Sequence, residues 1–122
     1  MLILIRNKIL MPLIIVFSLH AEIYDGYTLF TPVSLNVAGS TTYLMDINEE
    51  IIHSWYHERG PASMPYLVPD SSIIYPYRVE FPTMEAGGVG GGVQKITWDG
   101  TVIWDYTFSN NTYQHHHDVE PL

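Results

Sequence analysis

Three consecutive histidines and an aspartate, His115-His116-His117-Asp118, are the residues of this 122-residue chain best suited to chemistry. Imidazole changes charge near neutral pH, so it can attack as a nucleophile, relay protons or bind a metal through its neutral form. A neighbouring carboxylate can orient such a ring. In an extended segment alternate side chains face opposite sides. His115 and His117 are then expected on one face, and His116 and Asp118 on the other. All three rings converge on one metal only if the chain turns sharply. Three readings stay open on these residues alone. The first is a nucleophilic or acid–base site with Asp118 orienting an imidazole. The second is a divalent-metal site of the kind short His-rich tracts form. The third is a solvated loop without chemistry.

Other candidates are scattered. Arg59 precedes Gly60-Pro61, and Arg78 follows Tyr75-Pro76-Tyr77. A guanidinium grips sulfate or phosphate with paired N–H donors; the plainer alternative is a surface arginine balancing an acid such as Glu58 or Glu80. His53 and His57 flank Trp55 and Tyr56, where a strand position beside the indole is the expected role of His53. The run from Ala86 to Gly92 lacks the Gly-Lys-Ser/Thr ending of a P-loop, and no helical pattern follows it. It reads as a flexible inter-strand connection; a second reading has its bare amides approaching an anion.

The elements that must position these residues are strands. Nothing after Ala21 has helical periodicity, glycine and proline recur, and the apolar stretches are short, β-branched and aromatic. Tyr27–Phe30 is a first strand, stopped by Pro32. Thr41–Ile47, a turn at Asn48-Glu49-Glu50 and Ile51–Tyr56 make a hairpin. Tyr66–Val68, Pro69-Asp70-Ser71 and Ser72–Tyr75 repeat it. Gly92–Trp98, Asp99-Gly100 and Thr101–Phe108 repeat it again, with the strongest hairpin signal in the chain. The stretch Asn48–Trp55 also aligns with Asp99–Tyr106: a polar turn, aliphatic residues, then aromatic residues at alternate positions. The offset is about fifty residues, the size of one four-stranded propeller blade. A β-sandwich also yields regular hairpins; either way the sequence predicts an all-β chain.

Residues 1–21 have a different character. Arg6 and Lys8 precede a short apolar run from Ile9 to Leu19, with small residues at Ser18 and Ala21. That is the pattern of a secretory signal peptide, and the run is short of the roughly 20 apolar residues a membrane span needs. Its removal leaves 3 basic against 13 acidic side chains, a formal charge near −10. Such a charge argues against nucleic acid and anionic membrane surfaces as partners, and no stable membrane insertion is expected after cleavage. There is no cysteine, so disulfides, zinc-thiolate centres and iron–sulfur clusters are excluded.

Taken in order, the motifs resemble the arylsulfotransferase family, the bacterial aryl-sulfate sulfotransferases. The matching pieces are Tyr24-Asp25-Gly26-Tyr27-Thr28-Leu29-Phe30, Thr42-Tyr43-Leu44-Met45-Asp46, Ile52-His53-Ser54-Trp55, Gly60-Pro61 and Tyr66-Leu67. Gly87 to Trp98, Asp99-Gly100, Val102, Trp104, Tyr106 and His116-His117-Asp118 with Glu120-Pro121-Leu122 continue the series. Where relatives tend to show a glutamine before His-His-Asp, this chain has His115, preceded by Gln114. The resemblance implies a six-bladed β-propeller, periplasmic or secreted, in which sulfate passes from a phenolic sulfate ester to a phenol acceptor without a nucleotide carrier. It implies no cofactor and no metal. It further implies a sulfated histidine that lies beyond Leu122, with His116, His117 and Asp118 among the catalytic groups. Arg78, for its guanidinium, and His115, for the imidazole it adds to the motif, are the candidates for holding the substrate anion. Residues 22–122 are expected to make about two blades, an N-terminal part of the wheel incomplete at its C-terminus. The chain by itself is then expected to lack turnover. The alternative from another class is a non-catalytic exported β-repeat binding module or the product of a truncated, decayed gene.

Overall fold

The computed structural model describes residues 25–33, 38–84 and 87–122. Among these the chain is all-β, with no helix: β1 Thr28–Phe30, β2 Ala38–Met45, β3 Ile51–Arg59, β4 Tyr66–Leu67, β5 Ile73–Arg78, β6 Gly91–Ile96 and β7 Val102–Thr107. They form two antiparallel sheets, ordered β1-β2-β3 and β4-β5-β6-β7. The expected signal segment, residues 1–21, lies outside the described residues. Among those described, no helix is long and apolar enough to cross a membrane.

One turn is used three times. The amide of Asp46 donates to the Glu50 carbonyl at 3.0 Å while that of Glu49 donates back to Asp46 at 3.2 Å. Val68, Ser71 and Ser72 repeat the pair of bonds, and Thr97, Gly100 and Thr101 repeat it again. The fourth residue of each loop, Glu49, Ser71 and Gly100, has φ of 65°, 62° and 87°. This is the three-residue hairpin loop that ends in a left-handed residue. Each loop carries an aspartate whose carboxylate accepts its amides, the local bond that favours this residue type in turns. Asp46 accepts from Asn48 and Glu50 at 2.9 Å, Asp70 from Ser72 at 3.1 Å, and Asp99 from Thr101 at 3.3 Å.

The β2–β3 hairpin recurs in register as β6–β7. Leu44 pairs with His53 as Lys95 pairs with Trp104, and Thr42 with Trp55 as Val93 with Tyr106. Both ladders slip at the same place, Leu44/Met45 and Lys95/Ile96, an offset of 51 residues. β1 and β5 also correspond, since Leu29 lies opposite Leu44 and Ile74 opposite Lys95. The repeating unit is therefore three strands, and the second unit adds β4 at one edge. β5 runs through Pro76 to Arg78, past the strand end expected at Tyr75. Proline is tolerated there because β4 has already ended. On that side the Pro76 carbonyl accepts from the Ala62 amide at 3.0 Å, beside a bridge from Pro61 to Tyr77.

The two units pack face to face. His53, Trp55 and His57 alternate along β3 and point at the second unit. Trp55 is 2% exposed and its indole N–H donates to the Thr97 carbonyl at 2.9 Å. His57 stacks on Tyr75 with ring centroids 3.6 Å apart, and the Tyr75 hydroxyl donates to the Arg59 carbonyl at 2.8 Å. Leu44, Trp55, Ile73, Tyr75, Tyr77 and Ile96 form the core, with Leu29 and Val79 against it. Arg59 closes one end: its guanidinium lies 4.2 Å over the Tyr77 ring and 3.0 Å from Asp105. Its acid is thus Asp105, on a neighbouring sheet, and not Glu58 or Glu80. The Tyr77 ring lies so close over Gly92 that any side chain at 92 would overlap it.

Candidate functional site

After β7 the chain reverses at Asn110, whose side-chain oxygen accepts the amides of Thr112 and Tyr113 at 2.8 and 3.1 Å. It returns beside the start of β6. The Gly90 amide donates to the His115 carbonyl at 3.2 Å, and His116 makes an antiparallel bridge with Val89. The histidine tract is therefore laid along the glycine run. A Cβ at Gly90 would sit 2.8 Å from the His115 Nδ1 and 2.9 Å from the His117 amide nitrogen, and one at Gly88 would run into the His116 ring. The reading of this run as a flexible connection is corrected: Val89 to Gly92 are buried, and glycine is needed at 88 and 90 because another backbone and its imidazoles press on them.

The expected alternation of side chains is also corrected. The Asp118 amide donates to the His116 carbonyl at 2.7 Å, a bond spanning two residues, and His117 between them has φ of 37°. This tight turn swings His117 round, so that its ring meets the His116 ring edge-on at 4.2 Å between centroids instead of taking the opposite face. The sharp turn that convergence on a metal requires is thus present. Even so, among the described residues no three histidine, aspartate or glutamate side chains are arranged to hold a metal ion.

His115 is oriented by the backbone. Its Nε2 lies 2.7 Å from the Asp118 carbonyl, which can only accept, so Nε2 carries the hydrogen. Its Nδ1 and the Nδ1 of His117 are buried and have no partner among the described residues. The Asp118 carboxylate accepts from the Tyr66 hydroxyl at 3.1 Å and the Val119 amide at 2.9 Å. Its pKa lies below the ordinary carboxylate value. The Ser63 hydroxyl is the chief cause; the Val119 amide, Tyr66 and His117 act in the same direction, against desolvation. Burial and the adjoining Asp118 hold the Tyr66 phenol above its ordinary value, so it stays a donor. Among the described residues Asp118 forms no ion pair with an imidazole. It sets a negative charge beside His117 without binding the ring.

His117 also lines a cavity of about 270 Å³, most of whose wall is apolar: Leu29, Phe30 and Val33 on one side, Pro61 and Met64 on the other. The space is open to solvent on one side, and Thr31 and Ser63 also line it; its volume exceeds the roughly 150 Å³ of an enclosed cavity that holds benzene, so it has room for an aryl group, with an imidazole at its margin. Arg78 is half-buried on β5, opposite Gly91, and its backbone amide donates to Gly60 at 2.9 Å. Among the described residues its guanidinium forms no ion pair, and no hydrogen bond links it to the three histidines. The structure thus gathers His115, His116, His117 and Asp118 and leaves Arg78 apart from their hydrogen bonds. Ser63 and Tyr66 carry no site signal in the sequence, because they precede Asp118 by some fifty positions and only the fold brings them to it. No protein family model, no curated protein and no solved structure matches this chain.

Proposed function

We propose that residues 22–122 are two blades of an arylsulfotransferase-like β-propeller, exported behind a signal peptide at 1–21 to the periplasm or the cell exterior. Its reaction moves a sulfuryl group from a phenolic sulfate ester to a phenol acceptor. The observation that carries this reading is the histidine tract, seated on the glycine run directly after the second repeat and bordering an apolar cavity of aryl size. In the first half-reaction a histidine nitrogen attacks sulfur, the bond from sulfur to the aryl oxygen breaks, and the leaving phenolate takes a proton. In the second, a phenol gives up its proton as its oxygen attacks sulfur and the N–S bond breaks. No nucleotide donor or cofactor takes part, and covalent catalysis divides one difficult step into two. The nucleophile is not assigned to a histidine of this chain. His116 and His117 serve as sulfate contacts and acid–base groups, with Asp118 as the fixed negative charge beside them. His115 and Arg78 are the weaker candidates for holding the sulfuryl oxygens.

The test is binding. Titration of the full chain with p-nitrophenyl sulfate, followed by NMR, is expected to shift resonances of His116, His117, Phe30 and Met64. His117→Ala should weaken binding about tenfold, the usual worth of one hydrogen bond to a charged group. Absence of saturable binding at millimolar ester, or binding indifferent to both His116→Ala and His117→Ala, would refute the site. Release of p-nitrophenol by this chain alone would overturn the expectation that it has no turnover. A second reading, a non-catalytic β-repeat binding module, is favoured by one observation: the Asp118 carboxylate is engaged by Tyr66 and Ser63 and by no imidazole. In that case phenol should compete as well as phenyl sulfate does.

A further inference from the structure

The face that the first unit turns toward the second has an equivalent one repeat later. Through the shared register, His53, Trp55 and His57 correspond to Trp104, Tyr106 and Phe108, and Leu29 corresponds to Ile74. On the first unit this face is covered by the second, and Trp55 is sealed. On the second unit two of these positions are open, Trp104 at 42% and Tyr106 at 58% exposed, while Phe108 and Ile74 are half-buried, with Phe108 packed on His115 and the chain's own Pro121 and Leu122 beside Ile74 and Trp104. The surface that covers the first is also known. It is the side of the second unit carrying Tyr75 and Gln94, with Thr107 exposed at its border, and the equivalents of these three in the first unit are Phe30, Tyr43 and Tyr56. These lie on the outer side of the first unit, where Phe30 packs on Tyr43 at 5.6 Å and Tyr56 is 73% exposed. One chain therefore displays the positions equivalent to both halves of an interface that it makes once internally, with aromatic residues at most of them.

We propose that this protein associates head to tail, the Phe30–Tyr43–Tyr56 face of a second copy docking on the Trp104–Tyr106 face of the first. The occupant is a second copy because the complementary surface is present on the chain itself and the contact continues the internal stack. Both faces offer aromatic area and a donor, as Trp55 does in donating to the Thr97 carbonyl. The contact is heterologous, since two different patches meet, so it propagates into a ring or an open stack instead of stopping at a symmetric pair. The chain's formal charge of −8 opposes it. Screening by salt strengthens the association.

Sedimentation velocity of the full chain, over a micromolar concentration series at low and high salt, should show species larger than a monomer that grow with both variables. Trp104→Glu blocks one face and Tyr56→Glu the other. Each alone should weaken association at least about thirtyfold, the effect of losing a central aromatic anchor. Mixed together, the two variants should form one discrete pair and grow no further, because each keeps the face the other lacks. Both positions are exposed, and far-UV circular dichroism checks the fold; Tyr106→Lys replaces Trp104→Glu if that variant unfolds. Three results overturn the proposal: a wild-type chain that stays monomeric throughout, association that survives both variants, or association blocked by only one of them.

Discussion

His57 is a buried base whose protonation the fold suppresses, and this makes stability fall with pH in a defined window. The ring is 3% exposed, lies flat against Tyr75, and shares a 2.7 Å hydrogen bond with the Thr42 hydroxyl, while its Nδ1 has no partner. Burial pushes its pKa from 6.5 down to about 4. Above pH 6.5 the ring is neutral in the folded and unfolded chains alike and adds no pH dependence. Between pH 6.5 and 4 the unfolded chain takes up a proton that the folded chain refuses. Stability is therefore lost as pH falls, at up to about 1.4 kcal/mol per unit. From pH 7.5 to 5 the loss comes to about 2 kcal/mol, a large share of the 5–15 kcal/mol typical of a domain.

The lowered carboxylates do not interfere in that interval. Asp46, Asp70, Asp99, Asp105 and Asp118 all lie below the ordinary carboxylate value of 3.8, so the stability they confer is lost only as pH falls beneath about that value. The perturbation is His57→Phe. It keeps a flat ring for Tyr75, and it leaves the Thr42 hydroxyl its 2.7 Å bond to Thr31. Urea unfolding at pH 7.5 and 5 reads the result. The wild type should lose about 2 kcal/mol more than the variant over this range, because pH effects from other groups are common to both. Equal losses in the two chains would refute the suppressed titration.

Two further substitutions test local geometry. Gly90→Ala should lift the histidine tract from its seat, costing about 1–3 kcal/mol as overpacking does and shifting the amide resonances of residues 114–118. Gly87→Ala, where a Cβ meets nothing within 4 Å, should leave both unchanged, and an equal loss there would contradict the seat. Glu49→Gly relieves a side chain held at φ 65° and should raise stability by about 0.5 kcal/mol; thermal unfolding that shows a drop would count against the left-handed turn.

Local chemistry made the strands legible. Each hairpin carries its own alternation and its own polar turn, so Thr41–Ile47 and Ile51–Tyr56 foreshadow β2 and β3, and the Asn48/Asp99 alignment foreshadows the shared register. Reading failed wherever a residue answers to a distant one. Glycines at 88 and 90 look like local slack, yet what demands them is a histidine tract some twenty-five positions later. No glycine or proline marks the turn at His117; a bond from Asp118 back to His116 holds it against the ordinary preference of the chain. Arg59 finds Asp105 across the sheet interface, a pairing that proximity to Glu58 disguised.

The joint between the two units explains why so much of the chemistry-bearing sequence proved structural. Its contacts are made by side chains that reach across to opposing backbone: Trp55 to Thr97, His53 to Trp98 at 2.7 Å, and Tyr75 to Arg59. Aliphatic burial is non-directional and tolerates sliding of one sheet over the next. A hydrogen bond from a ring to one particular carbonyl does not, because its energy falls steeply with distance and angle. With a small core, the fold fixes the offset between sheets by such bonds. Histidine, tyrosine and tryptophan are selected because each combines a flat apolar body with one donor. His53 is spent in this way, while His57 is held by the Thr42 hydroxyl and by its stack on Tyr75. The tract at 115–117 differs: only His115 gives a ring nitrogen to a backbone carbonyl, while His117 keeps a buried Nδ1 unpaired beside an apolar cavity. His57 and His115 also have a buried Nδ1 without a partner among the described residues, but each is held through its other ring nitrogen; the His117 ring makes no hydrogen bond among the described residues and so keeps bonding capacity for a ligand.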